Sequence, residues 1–171
     1  AINICIACNQ ACLDHYFTFK PVTCLVNPRA LREEEFALAP AKAQKRVAVI
    51  GGGLAGMAAA SAAAERGHAV TLYEAANELG GQFNLAKRIP GKQEFAESVA
   101  YFIERMRRAG VAVKLGARAD AAALKAAGVA HAIVASGIAP RALAIPGADH
   151  AKVVSYVDLL AGREQAGPRV A

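Results

Sequence analysis

The side chains with the most chemistry stand near the start of the sequence: Cys5, Cys8, Cys12 and Cys24, spaced Cys-x2-Cys-x3-Cys-x11-Cys. Thiolates two or three residues apart can converge on one inorganic centre, with a distant fourth closing the site. A cubane iron–sulfur cluster takes four such ligands. Zinc also accepts four cysteines, but its common signatures pair two Cys-x2-Cys hooks, and here the second hook is missing. Disulfides are disfavoured where no leader segment is seen. The residues alone leave all three open, and the spacing favours the cluster.

Other chemistry is sparse. His68 falls at a turn, His131 at the start of a strand and His150 in a loop. His15, three residues after Cys12, could hydrogen-bond a cluster ligand, although an exposed loop histidine needs no such role. No Ser-His-Asp set or carboxylate pair stands out, so no catalytic residue is assigned.

The second feature is Gly51-Gly52-Gly53-Leu54-Ala55-Gly56, directly after the apolar run Val47-Ala48-Val49-Ile50. A glycine fingerprint has physical meaning between a strand and a helix. There Gly51 permits the tight turn, Gly53 lets backbone approach a pyrophosphate, and Gly56 lets helix and strand pack closely. The helix N-terminus adds N–H groups and a partial positive charge. Glu74 lies 18 residues beyond Gly56, placed to accept hydrogen bonds from ribose hydroxyls and to repel a 2′-phosphate. NAD and FAD both suit this pattern. Glu78-Leu79-Gly80-Gly81 favours FAD, because flavoproteins of this type use a second glycine pair to approach the cofactor, and Ala135-Ser136-Gly137 resembles their second FAD motif.

These residues need a scaffold of alternating strands and helices. Periodicity predicts strands over 46–50, 69–74, 111–115 and 132–135, and helices over 54–66, 92–108 and 121–127. The 92–108 helix carries the stripe Phe95, Val99, Phe102, Ile103 and Met106 and is closed by Gly110. The alternation implies an α/β fold, a Rossmann-like parallel-sheet FAD-binding domain over 46–171. A cysteine-rich iron–sulfur loop segment, 1–28, precedes it, and 29–45 reads as a connector broken by Glu33-Glu34-Glu35 and Pro40.

Composition narrows the classes. The 171 residues are 55% hydrophobic, enough for a sizeable core, yet no stretch approaches the ~20 apolar residues of a membrane span. The net charge of +6 is scattered, and Arg105, Arg107 and Arg108 share a helix with Glu94, Glu97 and Glu104. With only 6% aromatics for base stacking, nucleic acid is not an expected partner. Neither is a membrane. The sequence lacks an initiator Met and a leader, and its last residues, Pro168-Arg169-Val170-Ala171, echo the opening of the 46–50 strand. A soluble, cytoplasmic interior piece, stopping as a further strand begins, is expected.

The cysteine block (Cys5-Ile6-Ala7-Cys8-Asn9-Gln10-Ala11-Cys12-Leu13-Asp14, then Cys24-Leu25-Val26-Asn27-Pro28-Arg29) resembles the cluster segment of the bacterial NADPH-dependent 2,4-dienoyl-CoA reductases. Gly80-Gly81-Gln82-Phe83-Asn84-Leu85-Ala86-Lys87, Ile89-Pro90-Gly91-Lys92 and Ala135-Ser136-Gly137-Ile138 are similar to that family too. Old-yellow-enzyme-type relatives, such as enoate reductases and trimethylamine dehydrogenase, share the layout.

The resemblance implies an FMN- and substrate-holding barrel, a 4Fe-4S cluster, and an FAD domain enclosing an NADPH domain. Electrons would pass from NADPH through FAD and the cluster to FMN and an enoyl thioester. It makes Cys5, Cys8, Cys12 and Cys24 the cluster ligands and Ala55, Glu74, Gln82, Lys92 and Ala119 the FAD contacts. This sequence contains neither the barrel nor the second glycine fingerprint that would bind NADPH. Those domains, with their FMN and NADPH, are the expected partners in the same full-length chain. The competing readings are another FAD/iron–sulfur oxidoreductase, of amine-dehydrogenase or glutamate-synthase type, and a non-catalytic dinucleotide module with structural zinc.

Overall fold

The computed structural model describes residues 2–170. Four strands, β1 (Arg46–Ile50), β2 (Ala69–Tyr73), β3 (Ala112–Lys114) and β4 (His131–Val134), form one sheet. The order is β3-β2-β1-β4 and every pairing is parallel, the α/β architecture expected from the sequence. β1 is an inner strand, and Val47, Ala48 and Val49 are all buried. A strand covered on both faces must be apolar at consecutive positions, which is why 47–50 reads as an unbroken run.

The crossover from β1 to β2 is α2 (Leu54–Glu65), and α4 (Phe95–Arg108) packs beside it. Met57, Ala60, Leu72, Val99 and Met106 are the centre of the core, joined by Val47, Val49 and Val70. Small residues let α2 lie close, since Ala60 and Ser61 are both fully buried. The Ser61 hydroxyl donates to the Met57 carbonyl at 2.8 Å and is satisfied within its own helix. Gly67, at φ +94°, turns the chain out of α2 toward β2.

Several boundaries differ from expectation. Residues 92–94 form a turn, with the Phe95 amide bonded to the Lys92 carbonyl at 3.2 Å, so α4 begins at Phe95. Its stripe is narrower than periodicity suggests: Val99 and Met106 are buried, but Ile103 is 41% exposed. Three short helices escape periodicity because they span barely one or two turns: α1 (Leu13–Phe17), α3 (Phe83–Ala86) and α6 (Tyr156–Ala161). The third helix expected from sequence, α5 (Ala121–Ala126), is present and capped by the Asp120 side chain.

The basic cluster is neutralised in place. Arg105 forms a two-pronged pair with Glu65, at 2.6 and 2.7 Å, tying α4 to α2. Arg107 and Arg108 share Glu104, and their hydrogen bonds hold its carboxyl down to about 2. The connector is tied to the end of α2: Ala41 N–H donates to the Arg66 carbonyl and Arg66 Nε donates to the Ala39 carbonyl.

Glu65 is held below its ordinary value, first by the hydrogen bond from Arg105. A lowered folded-state value stabilises the fold above the unfolded-state value and is lost as pH falls through the folded one. Glu65→Gln is therefore expected to cost about 0.5–1 kcal/mol at neutral pH, the range of a partly exposed pair. The deficit should vanish below the ordinary carboxylate range, as urea unfolding at two pH values would read directly.

Candidate functional site

Of the three fingerprint glycines that lead from β1 into α2, Gly51, Gly53 and Gly56, two admit no side chain. Gly51 sits at φ +112°, and a Cβ there would lie 2.2 Å from the Ala135 carbonyl oxygen. At Gly56 a Cβ would meet the Gly51 carbonyl oxygen at 1.9 Å. Gly53 is the opposite case, with no atom within 4 Å of its notional Cβ. Two glycines thus serve packing, and the third leaves an open backbone face.

Gly53 is also the N-cap of α2 and carries no capping side chain. The helical ladder opens with Met57 N–H on the Gly53 carbonyl, at 2.9 Å, so the N–H groups of Leu54, Ala55 and Gly56 precede it. Ala55 is exposed at this end. The turn stands at the carboxyl ends of β1 and β4, where the strand order reverses and open α/β sheets bind ligands.

A second glycine turn is docked on the first. Gly80 N–H donates to the Gly52 carbonyl at 2.8 Å, and a Cβ on Gly81 would stand 3.1 Å from the Gly53 Cα. Gln82 Nε2 donates to the Ile138 carbonyl at 3.1 Å, tying this turn to the segment after β4 that contains Gly137. Glu74, at the end of β2, accepts the Gly52 N–H at 2.5 Å and the Ala76 N–H at 2.7 Å. Each carboxylate oxygen keeps a further lone pair for a hydroxyl donor.

Glu74, Gly81 and Gln82 line a cleft of about 420 Å³ whose other wall includes Arg88, Val157 and Arg163. Gly51, Gly53, Ala55 and Gly56 form the turn beside it, and Gly137 (φ +79°) follows β4. Lys92 and Ala119 belong neither to the cleft lining nor to that turn. Lys92 lies in the turn before α4 with its Nζ 5.6 Å above the Phe95 ring. Ala119 follows Ala117, whose N–H bonds the Glu74 carbonyl, so it lies on the β3 side of Glu74. The sequence reading assigned nothing to Asn84, a buried polar side chain beneath the second glycine turn. Its place in the Gly-Gly-Gln-Phe-Asn stretch was the available signal.

The thiol loop is shaped by backbone. Cys5 is exposed, Cys8, Cys12 and Cys24 are half-buried, and all four are free thiols. Ala7 N–H donates to Cys5 Sγ at 3.3 Å, while Ala7 and Asn9 hold φ of +52° and +57° to curl the chain between the thiols. Left-handed backbone at a non-glycine costs of order 1–3 kcal/mol and gathers at functional loops. Thr23 N–H donates to the Ala11 carbonyl at 2.8 Å, which lays the Cys24 segment along the Cys12 segment. The His15 ring bonds the Pro21 carbonyl at 2.9 Å and so holds the turn between them.

Among the described residues no three His, Cys, Asp or Glu side chains converge as the ligand set of a single ion. A cubane cluster binds each thiolate to a different iron, so its ligands stand farther apart than those of one ion. Four free thiols on a curled loop with an N–H···S bond suit that donor set.

Residues 45–165 match the pyridine nucleotide-disulphide oxidoreductase family. The chain belongs to this family. It is 39% identical over 173 residues to a metal reductase of Desulforamulus reducens, and 37% identical over 174 residues to a cinnamate reductase of Clostridium sporogenes. Each alignment covers 99% of this chain, but 26% and 25% of the relative. The solved 2-naphthoyl-CoA reductase in complex with 2-naphthoyl-CoA superposes at a TM-score of 0.88 with 34% identity, over 95% of this chain and 25% of that one. The chain thus spans about a quarter of the length of these relatives. The family and these likenesses make it an FAD/NAD-binding domain of α/β type.

Gly51 and Gly53 should separate on substitution. Gly51→Ala collides with backbone at an unfavourable φ and is expected to cost about 2 kcal/mol or more of stability. Gly53→Ala has an ordinary φ of −73° and open space. Its stability should stay within about 1 kcal/mol, while flavin affinity falls. Thermal unfolding and flavin titration on both variants check this contrast.

Proposed function

We propose that the chain is the electron-relay portion, FAD to 4Fe-4S cluster, of an NADPH-dependent 2,4-dienoyl-CoA reductase-like oxidoreductase acting on unsaturated acyl thioesters. One observation carries the reading: a curled loop with four free thiols and a glycine cradle open at Gly53 lie on one chain, joined by a connector fastened to α2. Cinnamate and 2-naphthoyl-CoA, named in two relatives, are conjugated acyl compounds, which supports the substrate class.

In this reading Gly53 and the first N–H groups of α2 receive the pyrophosphate of FAD, and Glu74 accepts its ribose hydroxyls. Gly81 and Gln82 complete the cradle, with Gly137 at the end of β4, and Lys92 and Ala119 lie farther out as the remaining contacts. Cys5, Cys8, Cys12 and Cys24 hold the cluster, with Ala7 N–H placed to stabilise negative charge on Cys5 sulfur. FAD supplies two-electron hydride chemistry with single-electron release, and the cluster carries one electron at a time.

The remaining partners are an FMN barrel and an NADPH domain of the same full-length protein, in the reducing cytoplasm where thiols stay free. Tyr16, Phe17 and Phe19 are 66%, 71% and 99% exposed beside the thiol loop, an apolar surface suited to such a neighbour. No helix among the described residues is long and apolar enough to cross a membrane.

Two measurements test the proposal. Anaerobically purified full-length protein is expected to hold about four iron atoms per chain and negligible zinc. Cys8→Ser should lose the iron and the turnover of an unsaturated acyl thioester while keeping bound flavin and its bleaching by NADPH. Normal turnover without iron would make the thiol loop structural. Stoichiometric zinc in protein never exposed to oxygen would favour the structural-zinc module instead.

Glu74 gives an independent test. Removing a charged acceptor of this kind costs on the order of 1.5–3 kcal/mol of binding. Glu74→Ala should weaken FAD by that amount and Glu74→Gln by less, and equal affinity in both variants and wild type would exclude Glu74 from the ribose.

A further inference from the structure

The second glycine turn is held from both sides. In front, Gly80 bonds the Gly52 carbonyl, and the Leu79 side chain packs where a Gly52 Cβ would stand, at 2.6 Å. Behind it lies Asn84, 8% exposed. Gly80 is at φ +121°, and a Cβ there would fall 2.6 Å from Asn84 Oδ1, 2.8 Å from Nδ2 and 2.9 Å from Cγ. The Asn84 carboxamide therefore fills the space that Gly80 leaves empty.

Its two ends are both satisfied. Asn84 Nδ2 donates to the Leu79 carbonyl at 2.9 Å, and Oδ1 accepts from Lys87 Nζ at 2.9 Å. An ammonium can only donate, so Lys87 requires the oxygen on its side and thereby turns the amino group toward Leu79. Lys87 sets the orientation of the amide, and the amide sets the Leu79–Gly80 peptide.

We propose that Asn84, oriented by Lys87, is the positioning residue that holds the second glycine turn against the first and so shapes the surface that receives the cofactor's pyrophosphate. That the cofactor is FAD rests on the function proposed above. The backbone placement does not. Asn84 touches no ligand in this scheme and acts only through the turn.

The test uses the full-length protein with two readouts: FAD titration of the deflavinated apoprotein, and hydrogen exchange at the Gly80 amide. Asn84→Ala leaves the Leu79 carbonyl unsatisfied and should weaken FAD by about tenfold or more, on the scale of a buried hydrogen bond lost. Gly80 exchange should speed up. Lys87→Met leaves the core untouched and should move both readouts the same way by less.

Asn84→Asp adds a signature that a merely structural role lacks. Its carboxylate faces the Leu79 carbonyl and Lys87, with Glu74, Glu78 and Arg88 on the neighbouring cleft. Only the protonated acid can donate to Leu79, so affinity relative to wild type at the same pH should recover as pH falls. Asn84→Ala should show no such recovery.

Wild-type FAD affinity and Gly80 protection in both Asn84→Ala and Lys87→Met would overturn the proposal. Wild-type protein that binds no FAD, with Gly80 still loosened in the variants, would refute the FAD reading and sustain the positioning role. If Asn84→Ala fails to fold, Lys87→Met and Asn84→Asp decide the matter.

Discussion

Backbone-to-backbone contact where β1, α2 and β4 meet is the constraint on which the rest of this structure depends. Gly56 rests on the Gly51 carbonyl, and Gly51 rests on Ala135, with no room for a methyl group at either contact. That approach sets how closely α2 lies on the sheet, and hence why Ala60 and Ser61 are sealed and why Met57 reaches Leu72 in the core. The same contact leaves Gly53 facing outward with the first turn of α2 behind it. Packing and ligand access thus come from one set of glycines, each with a different neighbour.

A second layer of organisation is built on that contact. Gly80 and Gly81 dock on Gly52 and Gly53, Glu74 bonds the Gly52 amide, and Gln82 reaches the Ile138 carbonyl. Segments far apart in sequence are thereby joined around one edge by backbone groups and short side chains. This economy of side-chain bulk suits a site that must admit a large, charged cofactor. Outside it, charge is handled by pairing: Arg105 with Glu65, and Arg107 and Arg108 with Glu104.

The thiol loop is organised differently. α1 spans only Leu13–Phe17, and the loop has few core contacts, with Ile6 and Ala11 its only buried apolar residues among those described. Its shape comes from left-handed residues at Ala7 and Asn9 and from backbone bonds such as Thr23 to Ala11. With so little apolar surface buried, the segment draws its shape from these local backbone bonds rather than from a core of its own. Its exposed aromatics, Tyr16, Phe17 and Phe19, contrast with the closed core around Met57.

The α/β fold, the order of its main strands and helices and the first glycine turn were legible in the sequence. Each rests on local periodicity or on glycine's freedom at a turn. The oxidoreductase likeness was legible too, in the glycine fingerprint and the Gly-Gly-Gln-Phe-Asn stretch, which lie within the matched residues 45–165. Tertiary structure alone decided the rest. It placed Lys92 over Phe95 and outside the cleft lining, left Ile103 on the flank of α4, and shortened that helix at its start. It formed α1, α3 and α6, which are too short for a periodic signal. It also gave Asn84 its setting under Gly80 and Lys87 its hold on the amide. Periodicity reports which face of one element is apolar. The empty space beneath a glycine, and the side chain that fills it, exist only once two turns have been brought together.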